Sequence, residues 1–359
     1  MKSTIIKKAS VSPLNAGLIQ PFRTALGQHD SLRNLLFRLR LADGTTGCGE
    51  AAIAGHITGE TVEQTLDNLR LAAEELQGKD VCDYLALSSR LHEQFAHNKS
   101  AVAAIETAVL DALTRQLKIP LWKFFGNKTV ELATDITIVI ADLEETAEST
   151  RKFYSRGFRT FKVKIGRNRD LDLDLKRVLA VKKAAPGCEI YLDANQGYNA
   201  QDTLRFVKDL RRSGVTPALI EQPVPREDWE GLKKVTRLCG IPVCADESVR
   251  SVNDSLRAIR EKATHAINIK IMKSGLIQSR EIALLARSAG IKLMIGGMME
   301  SSLAMTASAH LAAGLGCFSY IDLDTPFFIR GGIAGNPCLN SRGIYDLTKI
   351  KTGIGIIPE

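Results

Sequence analysis

Three acidic residues in this chain each end a short apolar run: Asp193, Glu221 and Asp246. They are 28 and 25 residues apart, which fits one strand–helix–strand step of a parallel sheet each. Because the carboxyl ends of parallel strands meet at one edge, we expect the three carboxylates to lie together. Carboxylate oxygens are the ligands that hard divalent cations prefer. The spacing therefore predicts a site for one Mg²⁺ per subunit.

Lysines lie on both sides of these carboxylates along the chain. Lys162 and Lys164 end the preceding predicted strand and point the same way, and Lys270 ends the following strand. In a ring of eight strands, the strands of Lys164 and Lys270 are opposite each other. One amine would remove the proton next to a metal-held carboxylate, Mg²⁺ would stabilise the enediolate, and the other amine would return a proton. We predict that these two lysines invert a stereocentre, and that the metal and the neighbouring cations depress the lysine pKa.

A second acidic pair, Asp322 and Asp324, ends the last predicted strand, across the ring from the metal. These carboxylates have no metal to bind and would suit an ammonium group, so a substrate with a carboxylate at one end and an ammonium at the other is expected. A short peptide meets that description. The pair could instead be a turn or capping feature, and each lone acid could cap a helix. Lys273 is expected to lie in a loop with a structural role.

The elements that must position these residues follow a regular rhythm after Gly126. Amphipathic helical stretches separate short apolar runs, which predicts eight parallel strands with crossover helices and therefore a β/α barrel. A doubly wound open sheet is the alternative, and the lack of a nucleotide-binding fingerprint disfavours it. The runs begin near Ile136, Thr160, Ile190, Ala218, Val243, Ala266, Lys292 and Tyr320.

Residues 1–125 are predicted to form an α+β capping domain. The run Leu35–Leu41 followed by Asp43 and Gly44 indicates a strand that enters a hairpin turn. Apolar residues at helical spacing then predict a helix that ends at Pro120: Val102, Ile105, Val109, Leu113 and Leu117. We assign residues 126–330 to the barrel and expect 331–359 to return to the first domain.

Composition limits the partners. The chain has 359 residues and lacks both an apolar run of the ~20 residues that span a bilayer and a signal peptide, so we expect a cytoplasmic protein with no membrane partner. Its net charge is +8, but the basic residues are interleaved with 40 acidic ones, which argues against nucleic acid as a partner. The excess charge would help to attract an anionic substrate.

Six short motifs resemble those of the enolase superfamily, in its muconate-lactonizing subgroup. The resemblance implies a modified TIM barrel of (β/α)7β form under the α+β capping domain, with Lys164 and Lys270 as the acid/base pair. Lys162 would tune Lys164 or touch the substrate carboxylate, and a homo-oligomer is expected. The motifs are Lys162-Val163-Lys164, Asp193-Ala194-Asn195-Gln196-Gly197, Glu221-Gln222-Pro223, Ala245-Asp246-Glu247-Ser248, Ile267-Asn268-Ile269-Lys270 and Gly296-Gly297-Met298-Met299-Glu300-Ser301.

Within that subgroup, Asp322-Leu323-Asp324 resembles the signature with which dipeptide epimerases hold the peptide amino terminus. The resemblance implies that two capping-domain loops set specificity, and residues 18–29 and 53–60 match them. We expect an apolar lining for the substrate side chain and further substrate contact at Thr137. The predicted lining is Phe22, Ile57 and Met298, with Ile19 and Met299, and the predicted supporting residues are Asn195 and Glu247.

One departure from the family pattern bears on the substrate. Epimerases that act on Ala-Glu can carry an arginine shortly after a Pro-Phe-(Lys/Arg)-Thr-Ala-Leu segment, but here Leu26 is followed by Gly27. We therefore hypothesise a preference for dipeptides with an apolar C-terminal residue. An L-Ala-D/L-Glu epimerase that uses Arg23 is the alternative. Two others are a muconate cycloisomerase or o-succinylbenzoate synthase/N-acylamino acid racemase, and a non-catalytic binding protein on a relic barrel.

Overall fold

The computed structural model describes residues 3–126, 131–332 and 335–358 of the chain. It begins with a three-stranded antiparallel sheet in the order β1 (Ile6–Arg23), β2 (Gln28–Leu41) and β3 (Thr46–Ala51). The predicted hairpin joins β2 to β3, and Asp43 Oδ1 accepts a hydrogen bond of 2.9 Å from the Thr45 N–H in its turn. The strands therefore confirm the extended run that the sequence predicts there.

Five helices follow this sheet, and the longest packs closely on β3. They are α1 (Gly55–Thr58), α2 (Val62–Glu75), α3 (Tyr84–Gln94), α4 (Lys99–Gln116) and α5 (Leu121–Phe124). The helix α4 is the one that the apolar spacing predicts, and it ends four residues before Pro120. Its small side chains lie against two glycines of β3: a Cβ on Gly47 would be 2.1 Å from the Ala108 backbone oxygen, and one on Gly49 would be 2.0 Å from that of Ala104.

Gly49→Ala should destabilise the fold because the added methyl group cannot fit between β3 and α4. Overpacking of this kind costs about 1–3 kcal/mol of unfolding free energy, so we expect a thermal midpoint several degrees below that of the wild type. Gly27→Ala is the matched control, since a Cβ there meets nothing within 4 Å. Differential scanning calorimetry of the two variants measures the effect. Equal melting of both variants would contradict the close packing.

The second half of the chain forms a parallel barrel, which β4 (Glu131–Ala133) precedes. The eight strands are β5 (Ile136–Ile138), β6 (Thr160–Lys164), β7 (Glu189–Asp193), β8 (Leu219–Glu221), β9 (Val243–Ala245), β10 (Ala266–Ile269), β11 (Lys292–Ile295) and β12 (Tyr320–Ile321). They pair in sequence order, and the Asp135 N–H donates to the Ile321 carbonyl at 2.9 Å to close the ring. Each predicted strand start lies within one residue of the observed start.

Seven helices connect the eight strands, which confirms the predicted (β/α)7β form. They are α6 (Leu143–Ser155), α7 (Leu171–Ala184), α8 (Ala200–Arg212), α9 (Trp229–Leu238), α10 (Val252–Arg260), α11 (Ile271–Ser288) and α12 (Ser302–Leu315). Side-chain caps fix several of their starts: Asn199 Oδ1 accepts from the Asp202 N–H at 2.8 Å, and Asp142 Oδ1 accepts from the Glu145 N–H at 2.8 Å. No helix among the described residues combines the length and hydrophobicity that a membrane crossing requires.

The barrel interior has an uncharged layer below a charged one. The lower layer consists of the buried side chains Tyr191, Leu219, Cys244, Ala266, Met294 and Tyr320. Within it the rings of Tyr191 and Tyr320 meet edge to face, with centroids 5.5 Å apart. Charged side chains lie directly above, at the carboxyl ends of the strands, which is the end where barrel enzymes carry their active sites.

The C-terminal segment contacts both halves of the chain. Its strand β13 (Ile344–Asp346) pairs with β4, while the Ile354 N–H donates to Asp111 Oδ1 of α4 at 2.7 Å. Residues 127–130 at the predicted boundary, and residues 333, 334 and 359 of the predicted return, lie outside the described residues. The division into a capping domain of 1–125 with 331–359 and a barrel of 126–330 stays a prediction.

Candidate active site

Two of the predicted metal ligands meet at a shared ammonium group. Asp193 and Glu221 are the last residues of β7 and β8, and both are fully buried. Lys162 Nζ from β6 lies 3.1 Å from Asp193 Oδ2 and 2.8 Å from Glu221 Oε2. The other oxygen of Glu221 accepts from Asn268 Nδ2 at 2.8 Å. The two carboxylates therefore face the same point above the barrel interior.

The third predicted ligand, Asp246, follows β9 and is held by two lysines. Lys270 Nζ donates to Asp246 Oδ2 at 2.6 Å, and Lys273 Nζ donates to Asp246 Oδ1 at 2.7 Å. The expectation that Lys273 lies in a loop is wrong, because it occupies the first turn of α11 and is buried. Gly275, with φ +74°, breaks that helix two residues later, so no continuous helical pattern marks its start.

The two predicted bases face one cavity from opposite walls. Lys164 is on β6 and Lys270 follows β10, four places away in the order of eight strands, and both line the same cavity. Lys164 Nζ donates to Asp193 Oδ2 at 2.6 Å and to Asn195 Oδ1 at 3.2 Å. The buried guanidinium of Arg177 donates to the Lys164 carbonyl at 2.8 Å, which fixes the backbone that carries this amine.

The electrostatics of this cluster follow from burial and ion pairing. Burial raises the pKa of Asp193, but the ammonium groups of Lys164 and Lys162 more than offset it and hold the value at about 2. Burial and the neighbouring Asp193 raise the pKa of Glu221 to about 7. Burial lowers the pKa of Lys270, yet Asp246 and Glu221 raise it more, so the net shift is upward. These two carboxylates thus favour the ammonium form of Lys270.

The donor set fits Mg²⁺. All three groups are carboxylates at the ends of consecutive strands. In each of them, at least one oxygen lies within ion-pair distance of a lysine ammonium group. Among the residues that the structure describes, Glu221 Oε2 has Lys162 as an ion-pair partner but no partner in hydrogen-bond geometry. The three groups offer only carboxylate oxygens, with no sulfur or imidazole ligand among them. Such a ligand set suits a hard divalent ion.

The second acidic pair lies across the cavity and is not free of cations. Asp322 Oδ2 accepts from Lys162 Nζ at 2.7 Å, and Asp324 Oδ2 accepts from the Thr137 N–H at 2.5 Å. Burial and the neighbouring Asp322 raise the pKa of Asp324 to about 7. The predicted pair therefore lines the cavity, but Lys162 on β6 reaches past β5 to pair with one member of it.

The cavity itself combines these polar groups with an apolar wall. Most predicted substrate-binding residues line it, and Glu247 lies behind it, where its Oε1 accepts from Asn195 Nδ2 at 3.3 Å. Ile19 was expected in the lining but is 55% exposed elsewhere, because the β1–β2 register shifts between Gly17 and Phe22. The lining is Phe22, Thr24, Leu26, His29, Ala54, Ile57, Thr137, Lys162, Lys164, Asn195, Lys270, Gly297, Met298, Met299, Asp322, Asp324 and Thr325.

The first specificity segment is a strand end and hairpin tip, not an irregular loop. Phe22 lies near the end of β1, whereas Thr24 and Leu26 lie in the turn that follows, where the Thr24 N–H donates to the Gly27 carbonyl at 2.9 Å. Thr24 and Leu26 fall within the predicted specificity segment 18–29 but were not singled out, and strand alternation could not have identified them because the chain turns there. Asp135 was also missed: it is buried, and one oxygen of it lies within 4.8 Å of the carboxylates of Asp322 and Asp324.

Hydrogen bonds fasten the capping elements to the barrel around the cavity. Asn34 Nδ2 on β2 donates to the Met299 carbonyl at 2.9 Å. Arg226 Nη1, beyond β8, donates to the Ile57 carbonyl at 3.0 Å. Glu50 on β3 accepts from the Ser301 N–H at 3.0 Å, next to the start of α12. The apolar wall is therefore held in place by contacts to the same strands that carry the charged groups.

Two family models match this chain over most of its length. Residues 8–126 match "Mandelate racemase / muconate lactonizing enzyme, N-terminal domain". Residues 145–359 match "Enolase C-terminal domain-like". Together the two models extend over both the antiparallel sheet with its helices and the barrel.

Individual proteins are similar over nearly the whole chain. A protein named hydrophobic dipeptide epimerase from Citrifermentans bemidjiense is 49% identical, over 99% of this chain and 98% of its own. One named L-Ala-D/L-Glu epimerase from Clostridium acetobutylicum is 36% identical, over 98% of each. The crystal structure of a dipeptide epimerase from Enterococcus faecalis V583, complexed with Mg and L-Leu-L-Tyr, has a TM-score of 0.92 and 30% identity, over 98% of this chain and 99% of that one.

Proposed function

Because the chain belongs to the enolase superfamily, in the family of mandelate racemase and muconate lactonizing enzyme, we propose that it is a Mg²⁺-dependent dipeptide epimerase. It would invert the α-carbon of the C-terminal residue of a dipeptide. The observation that carries this proposal is the placement of Lys164 and Lys270 on opposite walls of one cavity. An amine on each face of a bound α-carbon is what inversion by proton transfer requires.

The roles of the residues follow from their positions. Asp193, Glu221 and Asp246 would hold Mg²⁺, which when bound stabilises the negative charge that develops on the substrate carboxylate. One lysine Nζ takes the α-proton while the ammonium of the other gives a proton to the opposite face. No proton is consumed overall, but the two amines end with exchanged protonation. They reset through solvent, so the product formed in D₂O carries deuterium at the inverted carbon.

The other end of the cavity suits the amino terminus of a peptide. Asp322 and Asp324 are buried carboxylates on the wall beyond Lys162, and a charged hydrogen bond from an ammonium group to either would be strong at this buried position. The substrate carboxylate and its ammonium group would thus bind at opposite ends of the cavity. This arrangement favours a dipeptide over substrates that lack an ammonium group.

The wall between these ends supports a preference for apolar side chains. Phe22, Leu26, Ile57, Met298 and Met299 supply most of it. Burial of a large apolar side chain against such a wall contributes roughly 1.5–3 kcal/mol, whereas an unpaired carboxylate there would be costly. The cation that an acidic side chain would need is turned away, since Arg23 Nε donates to Gln28 at 3.0 Å and its Nη1 lies 3.9 Å from Glu145.

We expect L-Ala-L-Phe to be a better substrate than L-Ala-L-Glu. On the basis of the burial energies above, the ratio of kcat/KM should be on the order of ten to one hundred. Proton NMR in D₂O with Mg²⁺ follows the loss of the α-proton signal for each peptide. L-Ala-L-Ala is the matched control for the size of the side chain. Faster exchange of the glutamate peptide than of the phenylalanine peptide would refute the apolar preference.

A homo-oligomer and a cytoplasmic location belong to the same proposal. Sedimentation velocity of the purified protein tests the first, and fractionation of the source cells tests the second. Both follow from the family resemblance and the composition rather than from the geometry of the site.

A further inference from the structure

Asp135 is a buried carboxyl group with no assigned task. It directly precedes β5, and its backbone N–H makes the 2.9 Å bond to Ile321 that closes the barrel, so its position is fixed. Its side chain is 1% exposed, and neither Oδ1 nor Oδ2 has a hydrogen-bond partner in the part of the chain that the structure describes. An ionised carboxylate without a donor in such a place would be severely destabilising.

The neighbours of Asp135 make an ionised form costlier still. One oxygen each of Asp135, Asp322 and Asp324 lie within 4.8 Å of one another, and all three groups are buried. Lys162 from β6 faces this group and pairs with Asp322. Burial and the two neighbouring carboxylates raise the pKa of Asp135 well above its usual range, although Lys162 opposes the shift.

Two more titratable groups face Asp135 from other strands. Glu221 on β8 adds negative charge from across the interior, in the same direction as the carboxylates of β12. Tyr191 on β7 lies in the layer below, and its hydroxyl donates to Glu189 at 3.0 Å. Three close carboxyl groups beside one ammonium group, which is shared with Asp193 and Glu221, are expected to retain a proton.

We propose that Asp135 is a positioning residue for the amino-terminus subsite: as a neutral acid it donates its O–H to the Asp322–Asp324 pair. This inference rests on the proposed function, since it assigns the pair to the substrate ammonium. The donated bond satisfies the buried Asp135 and leaves Asp322 and Asp324 as charged acceptors, of which Asp322 pairs with Lys162. Because Lys162 is shared with Asp193 and Glu221, the subsite keeps excess negative charge, which the ammonium of the dipeptide would neutralise.

Asp135→Asn and Asp135→Leu separate a donated hydrogen bond from a negative charge. Asparagine is nearly isosteric with aspartate and keeps a donor, whereas leucine branches at the same carbon, is larger and has no donor. We expect Asp135→Asn to stay within about threefold of wild-type kcat/KM, and Asp135→Leu to raise the KM for L-Ala-L-Phe about tenfold or more, with kcat changed much less. Equal loss in both variants would mean that a charge is needed. Wild-type values in both would mean that Asp135 has no role. Either result overturns the proposal.

Infrared difference spectra give a second readout that does not depend on how well Asp135→Leu folds. The spectrum of wild type minus Asp135→Asn should contain the C=O band of a protonated carboxylic acid at neutral pH; carboxylate bands in its place would overturn the proposal. Equilibrium dialysis with Mg²⁺ should give one bound ion per chain in wild type. If wild type bound a second ion that Asp135→Asn did not bind, the three acidic residues would form a metal site and the proposal would be overturned. If wild type exchanges the α-proton of no dipeptide, the proposed function fails, whereas the infrared result still decides the protonation of Asp135.

Discussion

Lys164→Ala will abolish α-proton exchange from one stereoisomer of a dipeptide, and Lys270→Ala will abolish it from the other. The reason is that the two amines approach the cavity from β6 and from the end of β10, on opposite walls, so each can reach one face of the α-carbon. General acid–base catalysis typically contributes 10²–10⁴-fold, and epimerisation needs both groups, so epimerisation should fall by about 10³-fold or more in each variant. Proton NMR in D₂O with L-Ala-L-Phe and L-Ala-D-Phe measures each face separately.

The matched control for these two variants is Lys208→Ala, which removes an exposed lysine on α8. It should keep wild-type exchange from both stereoisomers. Circular dichroism verifies that Lys164→Ala and Lys270→Ala fold, because each removal leaves a buried carboxylate with one cation fewer. If either variant lost exchange from both stereoisomers equally while it remained folded, the assignment of one base to each face would be wrong.

Removal of Mg²⁺ should stop exchange without unfolding the protein. Chelation should lower the rate by about 10³-fold or more, since the charge that develops on the substrate carboxylate would lose its main stabilisation, and added Mg²⁺ should restore it. The fold should survive because the ammonium groups of Lys162, Lys270 and Lys273 pair with the three carboxylates and can offset their charge. Exchange by NMR and circular dichroism on the same chelated sample test both parts of the prediction.

Glu221→Gln tests whether this carboxylate contributes to Mg²⁺ binding. It removes one charged ligand but keeps an oxygen, so we expect the Mg²⁺ concentration at half-maximal exchange to rise by at least about tenfold. Glu230→Gln is the matched control, since Glu230 is an exposed glutamate on α9 whose side chain is 82% accessible. Full activity of the wild type after exhaustive chelation would contradict a metal site at Asp193, Glu221 and Asp246.

The sequence is sufficient to predict the barrel and the placement of its charged residues because both depend on local pattern. Each barrel strand is a short apolar run, so its position is visible without tertiary information. Charged residues that follow such runs must lie at the rim of the barrel where the strands end. The enzyme class predicted from the motifs also agrees with the names of the similar proteins.

The features that the sequence could not predict depend on contacts between distant elements. The ion pair between Lys162 and Asp322 joins β6 to the end of β12, which is not its neighbour, and no local pattern specifies which carboxylate a long side chain will reach. Lys273 was misplaced because the left-handed Gly275 interrupts the helical spacing of α11. Ile19 was misplaced because a register shift, invisible in the sequence, turns it to solvent. Asp135 was overlooked because it is notable only for its proximity to two carboxylates, which follow it in the sequence by more than 180 residues.

The apolar wall of the cavity and the charged residues of the barrel belong to separate elements, which has an evolutionary consequence. Phe22, Leu26 and Ile57 belong to the end of β1, the hairpin tip and α1, whereas the lysines proposed to transfer protons belong to the barrel. Mutations that reshape the wall need not displace the amines or the carboxylates, provided that anchors such as Asn34 and Arg226 persist. Related enzymes could therefore evolve different substrate specificities while they retain the same reaction. Laboratory selection for activity on new peptides should begin with substitutions in the hairpin.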